Sequence, residues 1–280
     1  METVSEHPCF GGVQGFYRHD STCIGLPMQF SVYQPPQARH APVPVLFFLA
    51  GLTSTHETFM MKSGAQRYAA EHGLMLVAPD TSPRNTGIAG ATDSWEVGDG
   101  AGFYLDATQA PWSTHFKMAS YIVGELRALI LTHFAAQADA IGITGHSMGG
   151  HGALTLALRH PEVFRSVSAF APIAAPATCP WGVQAFTKFF GDDQAAWRSH
   201  DASALMAGAR TPFPAGILID QGLGDKFLDT QLHPTTFAIA CERADQPLTL
   251  RRHAGYDHGY YFVSSFIGEH VAFHRARLQG

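Results

Sequence analysis

Residues 141–158 read IGITGHSMGGHGALTLAL, and this stretch decides the fold class. Four glycines, Gly145, Gly149, Gly150 and Gly152, cluster where an apolar run typical of a strand passes into one typical of a helix. Glycine is unfavourable inside helices, so its accumulation around Ser147 indicates a turn in which larger side chains would collide. The stretch therefore predicts a sharp strand-to-helix turn with Ser147 at its apex.

In this context, Gly-x-Ser-x-Gly is the sequence of a nucleophile elbow, which presents a serine hydroxyl at the carboxyl end of a parallel sheet. The motif predicts that Ser147 is a nucleophile. It also predicts that the backbone N–H of Met148, at the start of the following helix, stabilises an oxyanion. A chance pentapeptide, or a glycine turn with a bystander serine, is the alternative. The strand and the helix on either side favour the catalytic interpretation.

Short apolar runs alternate with amphipathic runs along the rest of the chain. They predict strands at residues 28–33, 43–50, 74–78, 141–144, 167–170, 216–220 and 248–252, and helices at 63–72, 116–134, 148–160, 234–244 and 260–277. This alternation is typical of an α/β fold with a mostly parallel central sheet and helices on both faces. We expect residues 1–280 to form a single domain. Residues 34–44 are predicted to be a hairpin or loop, and residues 181–209 a less regular insertion over one end of the sheet.

A serine nucleophile needs a base to take its proton and an acid to orient that base. In folds with a nucleophile elbow, the order of the triad along the chain is serine, then acid, then histidine. His258 is the expected base, because it lies in a glycine-flanked loop after the strand at 248–252; His253 is its rival. Asp225, in the loop after the strand at 216–220, is the expected acid. Asp220 and Asp257 are the alternatives.

A second oxyanion donor is expected from the loop after an early strand. The strand predicted at 43–50 is followed by Gly51-Leu52-Thr53. Gly51 lets the chain turn so that the N–H of Leu52 points at the site. An ordinary glycine at the end of a strand is the alternative interpretation.

Composition limits the partners. Charged residues make up 15% of the chain, the net charge is −5, and no run of lysine and arginine occurs, so we expect no nucleic-acid partner. The longest apolar run, at residues 42–52, is too short to cross a bilayer, so no membrane association is expected. Acidic residues stand where a signal peptide needs positive charge, which favours a cytoplasmic protein. The 4 cysteines are expected to be reduced.

Further motifs resemble the S-formylglutathione hydrolase family, also called esterase D. They are LAGLT (49–53), KSG (62–64), APDTSPR (78–84), DSW (93–95), GAGFYLDAT (100–108), PW (111–112), SAFAP (168–172), CPWG (179–182) and IDQG (219–222). The resemblance implies an α/β-hydrolase that converts S-formylglutathione to formate and glutathione in formaldehyde detoxification, with no cofactor or metal and often as a homodimer. It assigns the triad to Ser147, Asp225 and His258 and the oxyanion hole to the amides of Leu52 and Met148. Small activated esters are expected as further substrates.

One position departs from the family pattern. Where many relatives have cysteine after Gly-Leu-Thr, this chain has Ser54, so we expect greater resistance to thiol reagents. Residues 95–104 and Trp112 are candidate walls of the acyl pocket. Candidate cations for the anionic glutathione are Lys62, Arg84, Lys117 and Lys188. A general carboxylesterase or acyltransferase on the same scaffold, and a non-catalytic binding protein, are the rival functions.

Overall fold

A nine-stranded sheet runs through the computed structural model, which describes residues 1–208, 213 and 216–279. Its strands are β1 (Glu2–Cys9), β2 (Gly12–Asp20), β3 (Pro27–Gln34), β4 (Val43–Leu49), β5 (Met75–Pro79), β6 (Ala136–Gly145), β7 (Ser166–Phe170), β8 (Ile217–Gly222) and β9 (Leu248–His253). The spatial order is β1-β2-β3-β5-β4-β6-β7-β8-β9. The first three strands pair antiparallel up to β5, and β4 to β9 pair in parallel. The sheet contains all seven predicted strands.

Helices connect the parallel strands. They are α1 (Thr58–Lys62), α2 (Ala65–His72), α3 (Met118–Ser120), α4 (Arg127–His133), α5 (Met148–Arg159), α6 (Pro180–Phe190), α7 (Gln194–Ser199), α8 (Ala202–Ala207), α9 (Pro234–Arg243) and α10 (Tyr260–Leu278). Short 3₁₀ helices lie at Pro36–Arg39, Trp112–Thr114 and Pro176–Thr178, and π-helical turns at Tyr121–Leu126 and Leu228–Leu232. No described helix has both the length and the hydropathy needed to span a membrane.

The sequence-based prediction missed the N-terminal hairpin of β1 and β2. Six of the eight residues of β1 are exposed, and Glu2, Thr3 and Glu6 are among them, so the strand has no apolar face to reveal it. Its position at the edge of the sheet explains this, since an edge strand can be held by backbone pairing to one neighbour alone. The pairing with β2 runs from Glu2 opposite Arg18 to Cys9 opposite Gly12.

Two helical regions differ from expectation. The helix predicted at 116–134 is three consecutive segments, because the turn at Tyr121–Leu126 widens to π geometry between α3 and α4. The region 181–209, predicted to be less regular, is helical as far as Ala207; residue 209 lies outside the described residues. Asp193 and Asp201 start α7 and α8 by accepting hydrogen bonds from backbone N–H groups of the first turn. These N-caps were the missed signal.

Within residues 34–44, the chain between the end of β3 and the start of β4 is a loop with a single 3₁₀ turn at Pro36–Arg39, so the hairpin alternative is wrong. The strands on either side, β3 and β4, both pair with β5 and not with each other. The loop therefore leads from β3 to β4 across the position of β5, which lies between them in the sheet but follows both in the sequence.

The central strands are covered on both faces, as their continuous apolar runs predicted. Every residue of β4, β5, β7 and β8 is buried. The buried apolar side chains among the described residues join in one contiguous cluster. The carboxyl ends of β4, β6 and β8 lie along one edge of the sheet, which brings together the loops that follow them.

Candidate active site

Backbone contacts explain the glycines of the elbow. A Cβ on Gly145 would overlap the carbonyl oxygen of Gly149, and a Cβ on Gly149 would overlap the carbonyl oxygen of Leu49 in β4. A Cβ on Gly150 would lie only 2.9 Å from the Cα of Pro172, just beyond β7. The start of α5 therefore packs against two neighbouring chain segments at backbone distance, which only glycine permits.

Ser147 has a strained backbone at this turn, with φ at 58° and ψ at −118°. Such a conformation costs a non-glycine residue about 1–3 kcal/mol and persists only where the surroundings enforce it. Here the N–H of Ser147 donates to the carbonyl of Phe170 at 3.0 Å, and that of His146 to the carbonyl of Leu49 at 3.0 Å. The elbow is thus fastened to β7 and β4, and the Ser147 side chain is fixed at the edge of the sheet.

The structure brings His258 and Asp225 together. Nδ1 of His258 lies 2.5 Å from Oδ2 of Asp225, across 33 residues of sequence. The other carboxylate oxygen of Asp225 accepts the N–H of Phe227 at 2.8 Å, and Gln221 Nε2 donates to Oδ2 at 3.4 Å. With its carboxylate fully buried and held by backbone, Asp225 fixes the ring orientation of His258.

The alternative residues are engaged elsewhere. Asp220 forms a two-point ion pair with Arg251, at 2.6 Å for each contact, and lies 3.3 Å from Nε2 of His253. Asp257 accepts the N–H of Gly259 at 2.8 Å, at the exposed start of α10. None of these three candidates joins the Asp225–His258 pair.

The two predicted oxyanion donors have free amides. Among the described residues, neither the N–H of Leu52 nor that of Met148 donates to a protein acceptor. The loop of Leu52 passes directly beside the elbow, because a Cβ on Gly51 would lie 3.2 Å from the Cβ of Ser147. Thr53 adopts a φ of 68° and donates its N–H to the carbonyl of Gly100 at 2.9 Å, which fixes the turn.

Ser147 and His258 line one cavity of about 240 Å³. Its other lining residues are Gly51, Leu52, Ser54, Thr58, Lys62, Trp95, His146, Trp181, Phe227 and Tyr260. Trp95 was among the predicted wall residues; Trp112 was too, but it packs away from this cavity against Phe116 and Phe189. The sequence reasoning missed Trp181, Phe227 and Tyr260.

His146 adjoins the nucleophile in sequence and packs against the base in space. Its ring centroid lies 4.6 Å from that of His258, and its Nε2 is buried without a hydrogen-bond partner among the described residues. Burial, reinforced by the adjacent His258, holds the pKa of His146 well below its usual value. His146 is therefore neutral at pH 7 and adds no positive charge beside His258.

A larger cavity, of about 490 Å³, lies elsewhere on the molecule. It includes the ion pair of Asp80 and Arg84, joined at 2.6 Å, but neither Ser147 nor His258. We therefore place the chemistry in the smaller cavity, because that one holds the strained serine and the oriented histidine. In the described part of the chain, no group of three or more His, Cys, Asp or Glu side chains is placed to hold a metal ion.

Comparisons with known proteins agree with this geometry. The model of the Esterase family matches residues 21–273. An S-formylglutathione hydrolase of Paracoccus denitrificans (strain Pd 1222) is 52% identical over 277 residues, which cover 99% of this chain and 98% of that protein.

The chain belongs to the S-formylglutathione hydrolase family.

A solved structure of this family extends the agreement to three dimensions. The S-formylglutathione hydrolase from Agrobacterium tumefaciens superposes with a TM-score of 0.96 at 49% identity, covering 99% of this chain and 100% of that one. A fluorophosphonate-binding serine hydrolase of Staphylococcus aureus, FphF, has a TM-score of 0.75 at 20% identity over 94% of this chain and 98% of its own, which shows a shared fold. The predicted α/β-hydrolase fold is confirmed, and the chain is a hydrolase.

Ser54, where the resemblance led us to expect a departure from the family pattern, lines the cavity. Its carbonyl oxygen accepts hydrogen bonds from Thr81 Oγ1 at 2.7 Å and from Arg84 Nη2 at 2.8 Å. The backbone of the Leu52 loop is thus held from behind by the ion-paired Arg84. None of the four cysteines, all of them described and free, lines this cavity.

Proposed function

We propose that this chain hydrolyses S-formylglutathione to formate and glutathione, with Ser147 as nucleophile, His258 as general base and acid, and Asp225 as the group that orients His258. The observation that carries the proposal is the convergence of a strained Ser147 and an Asp225-bonded His258 on one cavity. The substrate is the one that names the relatives from Paracoccus and Agrobacterium.

In the first half of the reaction, Oγ of Ser147 attacks the thioester carbonyl carbon while Nε2 of His258 takes the hydroxyl proton. Nδ1 of His258 keeps its own proton, because Asp225 accepts a hydrogen bond there. The carbonyl oxygen becomes an oxyanion, and the free amides of Leu52 and Met148 stabilise it. The tetrahedral intermediate then collapses, and the C–S bond breaks.

The departing thiolate takes the proton from His258, which leaves a formyl ester on Ser147. A thiol, with a reference pKa of about 8.5, is a better leaving group than an alcohol, so less acid assistance is needed in this step. In the second half, His258 takes a proton from water, and the resulting hydroxide attacks the formyl ester. Ser147 leaves with the proton from His258, and formate is released.

The rival function, a general carboxylesterase, shares this machinery, and we expect small activated esters to be cleaved as well. Substrate choice separates the two. A small formyl site predicts that kcat/KM falls steeply from S-formyl to S-acetyl to S-butyryl glutathione. A flat profile over this series, or a preference for long-chain p-nitrophenyl esters over S-formylglutathione, would favour the carboxylesterase.

The variant Ser147→Ala tests the mechanism. Removing the nucleophile of a serine hydrolase typically lowers kcat by about 10⁶. We expect turnover near background, no labelling by a fluorophosphonate probe, and an unchanged thermal midpoint. Ser265→Ala, at an exposed position of α10, is the matched control and should keep full activity. Retained hydrolysis of S-formylglutathione by folded Ser147→Ala would refute the assignment.

We also propose the setting in which the enzyme works. Release of formate from S-formylglutathione suits formaldehyde detoxification in the cytoplasm, the compartment that glutathione keeps reducing. We propose that residues 1–280 form one domain and that the enzyme is a homodimer. A single unfolding transition and a dimer mass in sedimentation are the results expected; two transitions or a monomer mass would contradict these two statements.

A further inference from the structure

The cavity is too small to hold all of the substrate. It encloses about 240 Å³, whereas pockets that bury drug-sized ligands enclose about 300–1,000 Å³. The formyl thioester must reach Ser147 at its base. The tripeptide joined to the sulfur therefore extends over the rim, and residues on that rim decide how glutathione is recognised.

One residue gives this rim its charge. Lys62, the last residue of α1, is the single Lys, Arg, Asp or Glu among the described residues that line the cavity. Its Nζ lies over the ring of Tyr260, 5.8 Å from the centroid. Among the described residues, no carboxylate oxygen lies within 4.0 Å of this ammonium. Its positive charge is thus available to an anion at the mouth of the cavity.

The other candidate cations from the sequence lie elsewhere. Arg84 is paired with Asp80 and lines the larger cavity. Lys188 lies over the ring of Trp112, 5.5 Å from its centroid, and does not line the cavity of Ser147. Lys117, the residue before α3, does not line the cavity of Ser147 either.

The rim also offers an aromatic surface beside this charge. Trp95 is 51% exposed although it lines the cavity, and its indole is held edge-on against Trp181 with centroids 5.4 Å apart. Trp181 is fixed in turn, because its Nε1 donates to Glu96 at 2.9 Å. An exposed indole that packs against a fixed neighbour can cover a peptide plane, and its side chain has few torsion angles to order when it does so.

We propose that Lys62 binds a carboxylate of the glutathione portion of the substrate, while Trp95 covers its peptide backbone. The inference rests on the proposed function, since it names the group that recognises that substrate. Glutathione carries two carboxylates and one ammonium at neutral pH, and the thioester therefore has a net negative charge. Lys62 is a substrate-binding residue and takes no part in the bond-breaking steps.

The test compares an anionic with a neutral substrate. In Lys62→Met, we expect kcat/KM for S-formylglutathione to fall roughly tenfold, mainly through a higher KM, which corresponds to about 1.4 kcal/mol. Hydrolysis of p-nitrophenyl acetate, which is neutral, should stay within twofold of wild type. Lys188→Met is the matched control, because it also removes an ammonium from an aromatic face, and it should alter neither reaction.

Two further measurements separate direct binding from a structural effect. With S-formylglutathione diethyl ester, which lacks both carboxylates, wild type and Lys62→Met should have the same KM. Raising the ionic strength from about 0.01 to about 1 M shortens the screening length from roughly 30 to 3 Å, so it should raise KM for S-formylglutathione more in wild type than in the variant.

An unchanged KM for S-formylglutathione in Lys62→Met would overturn the proposal, and so would an equal loss on p-nitrophenyl acetate. These failures are distinguishable from failure of the proposed function. If wild type hydrolyses S-formylglutathione well and the variant matches it, the role of Lys62 alone is wrong. If wild type does not hydrolyse S-formylglutathione, the function and the role of Lys62 both fall.

Discussion

Replacing Asp225 with asparagine reverses one hydrogen bond at the centre of the site. Oδ1 of Asp225 accepts the backbone N–H of Phe227 at 2.8 Å, so the amide oxygen of Asp225→Asn is held at that position. The new NH₂ group then replaces Oδ2, which lies 2.5 Å from Nδ1 of His258. Because NH₂ is a donor, Nδ1 must become the acceptor, and the ring proton moves to Nε2.

In this tautomer, His258 cannot take the proton of Ser147. Gln221 Nε2 donates to Oδ2 of Asp225 at 3.4 Å. The NH₂ group of Asp225→Asn would face this second donor, so it finds no acceptor there to replace the lost hydrogen bond. Loss of the correct tautomer in a serine triad typically lowers kcat by about 10⁴, or roughly 5.5 kcal/mol of transition-state stabilisation. Because the change preserves side-chain shape, we expect KM to change little.

The assay measures kcat and KM with S-formylglutathione and with p-nitrophenyl acetate, and the rate of fluorophosphonate labelling. All three rates should fall together, since each depends on activation of Ser147. Asp257→Asn is the matched control: Asp257 is adjacent to His258 in sequence, but within the described part of the chain its carboxylate accepts a hydrogen bond only from the exposed backbone N–H of Gly259. A folded Asp225→Asn enzyme with kcat within tenfold of wild type would refute the reasoning.

Three further outcomes are expected. Gly51→Ala places a Cβ 3.2 Å from the Cβ of Ser147 and should lower kcat roughly 10–100-fold, which is part of the 10²–10³-fold lost when an entire oxyanion donor is removed. Gly124→Ala is the control, because apart from its own helical turn no described atom lies within 4 Å of the new Cβ; equal kcat values for the two variants would contradict this prediction. Iodoacetamide should inactivate Ser54→Cys but spare wild type; rapid inactivation of wild type would show that another thiol controls the site. Burial lowers the pKa of His151 to about 4, so between pH 6.5 and 4 this side chain is protonated in the unfolded chain but not in the folded protein. Urea unfolding should therefore show that the free energy of unfolding decreases by about 3 kcal/mol from pH 6.5 to pH 4 because of this group. A constant free energy of unfolding over that range would contradict the prediction.

The elbow was predictable because its causes are local in sequence. Gly145 and Gly149, where any Cβ would overlap the backbone, lie two residues before and two residues after Ser147. The strand and the helix beside them are long apolar runs. The central strands were predictable for a similar reason, since burial on both faces leaves a continuous apolar pattern. The edge strand β1 lacked that pattern, because backbone pairing to a single neighbour holds it.

The pairing of Asp225 with His258, unlike the elbow, could not be decided from local sequence. Sequence order favoured Asp225 and His258, but His253, Asp220 and Asp257 stayed open as alternatives. The fold separates them, because Asp220 lies within β8 and pairs with Arg251 from β9, whereas Asp225 lies beyond the end of the strand, where it meets His258.

The sequence by itself determined the class of fold, and it predicted the nucleophile and the order of the proposed triad along the chain, because these depend on neighbouring residues and on periodic burial. Only the tertiary structure decided what surrounds the nucleophile. Lys62 from α1, Trp181 from α6 and Phe227 from the loop after β8 meet at one cavity although more than a hundred residues separate the first from the second. Their convergence follows from how the parallel strands are ordered in the sheet, and strand order is set by long-range packing that no short stretch of sequence encodes.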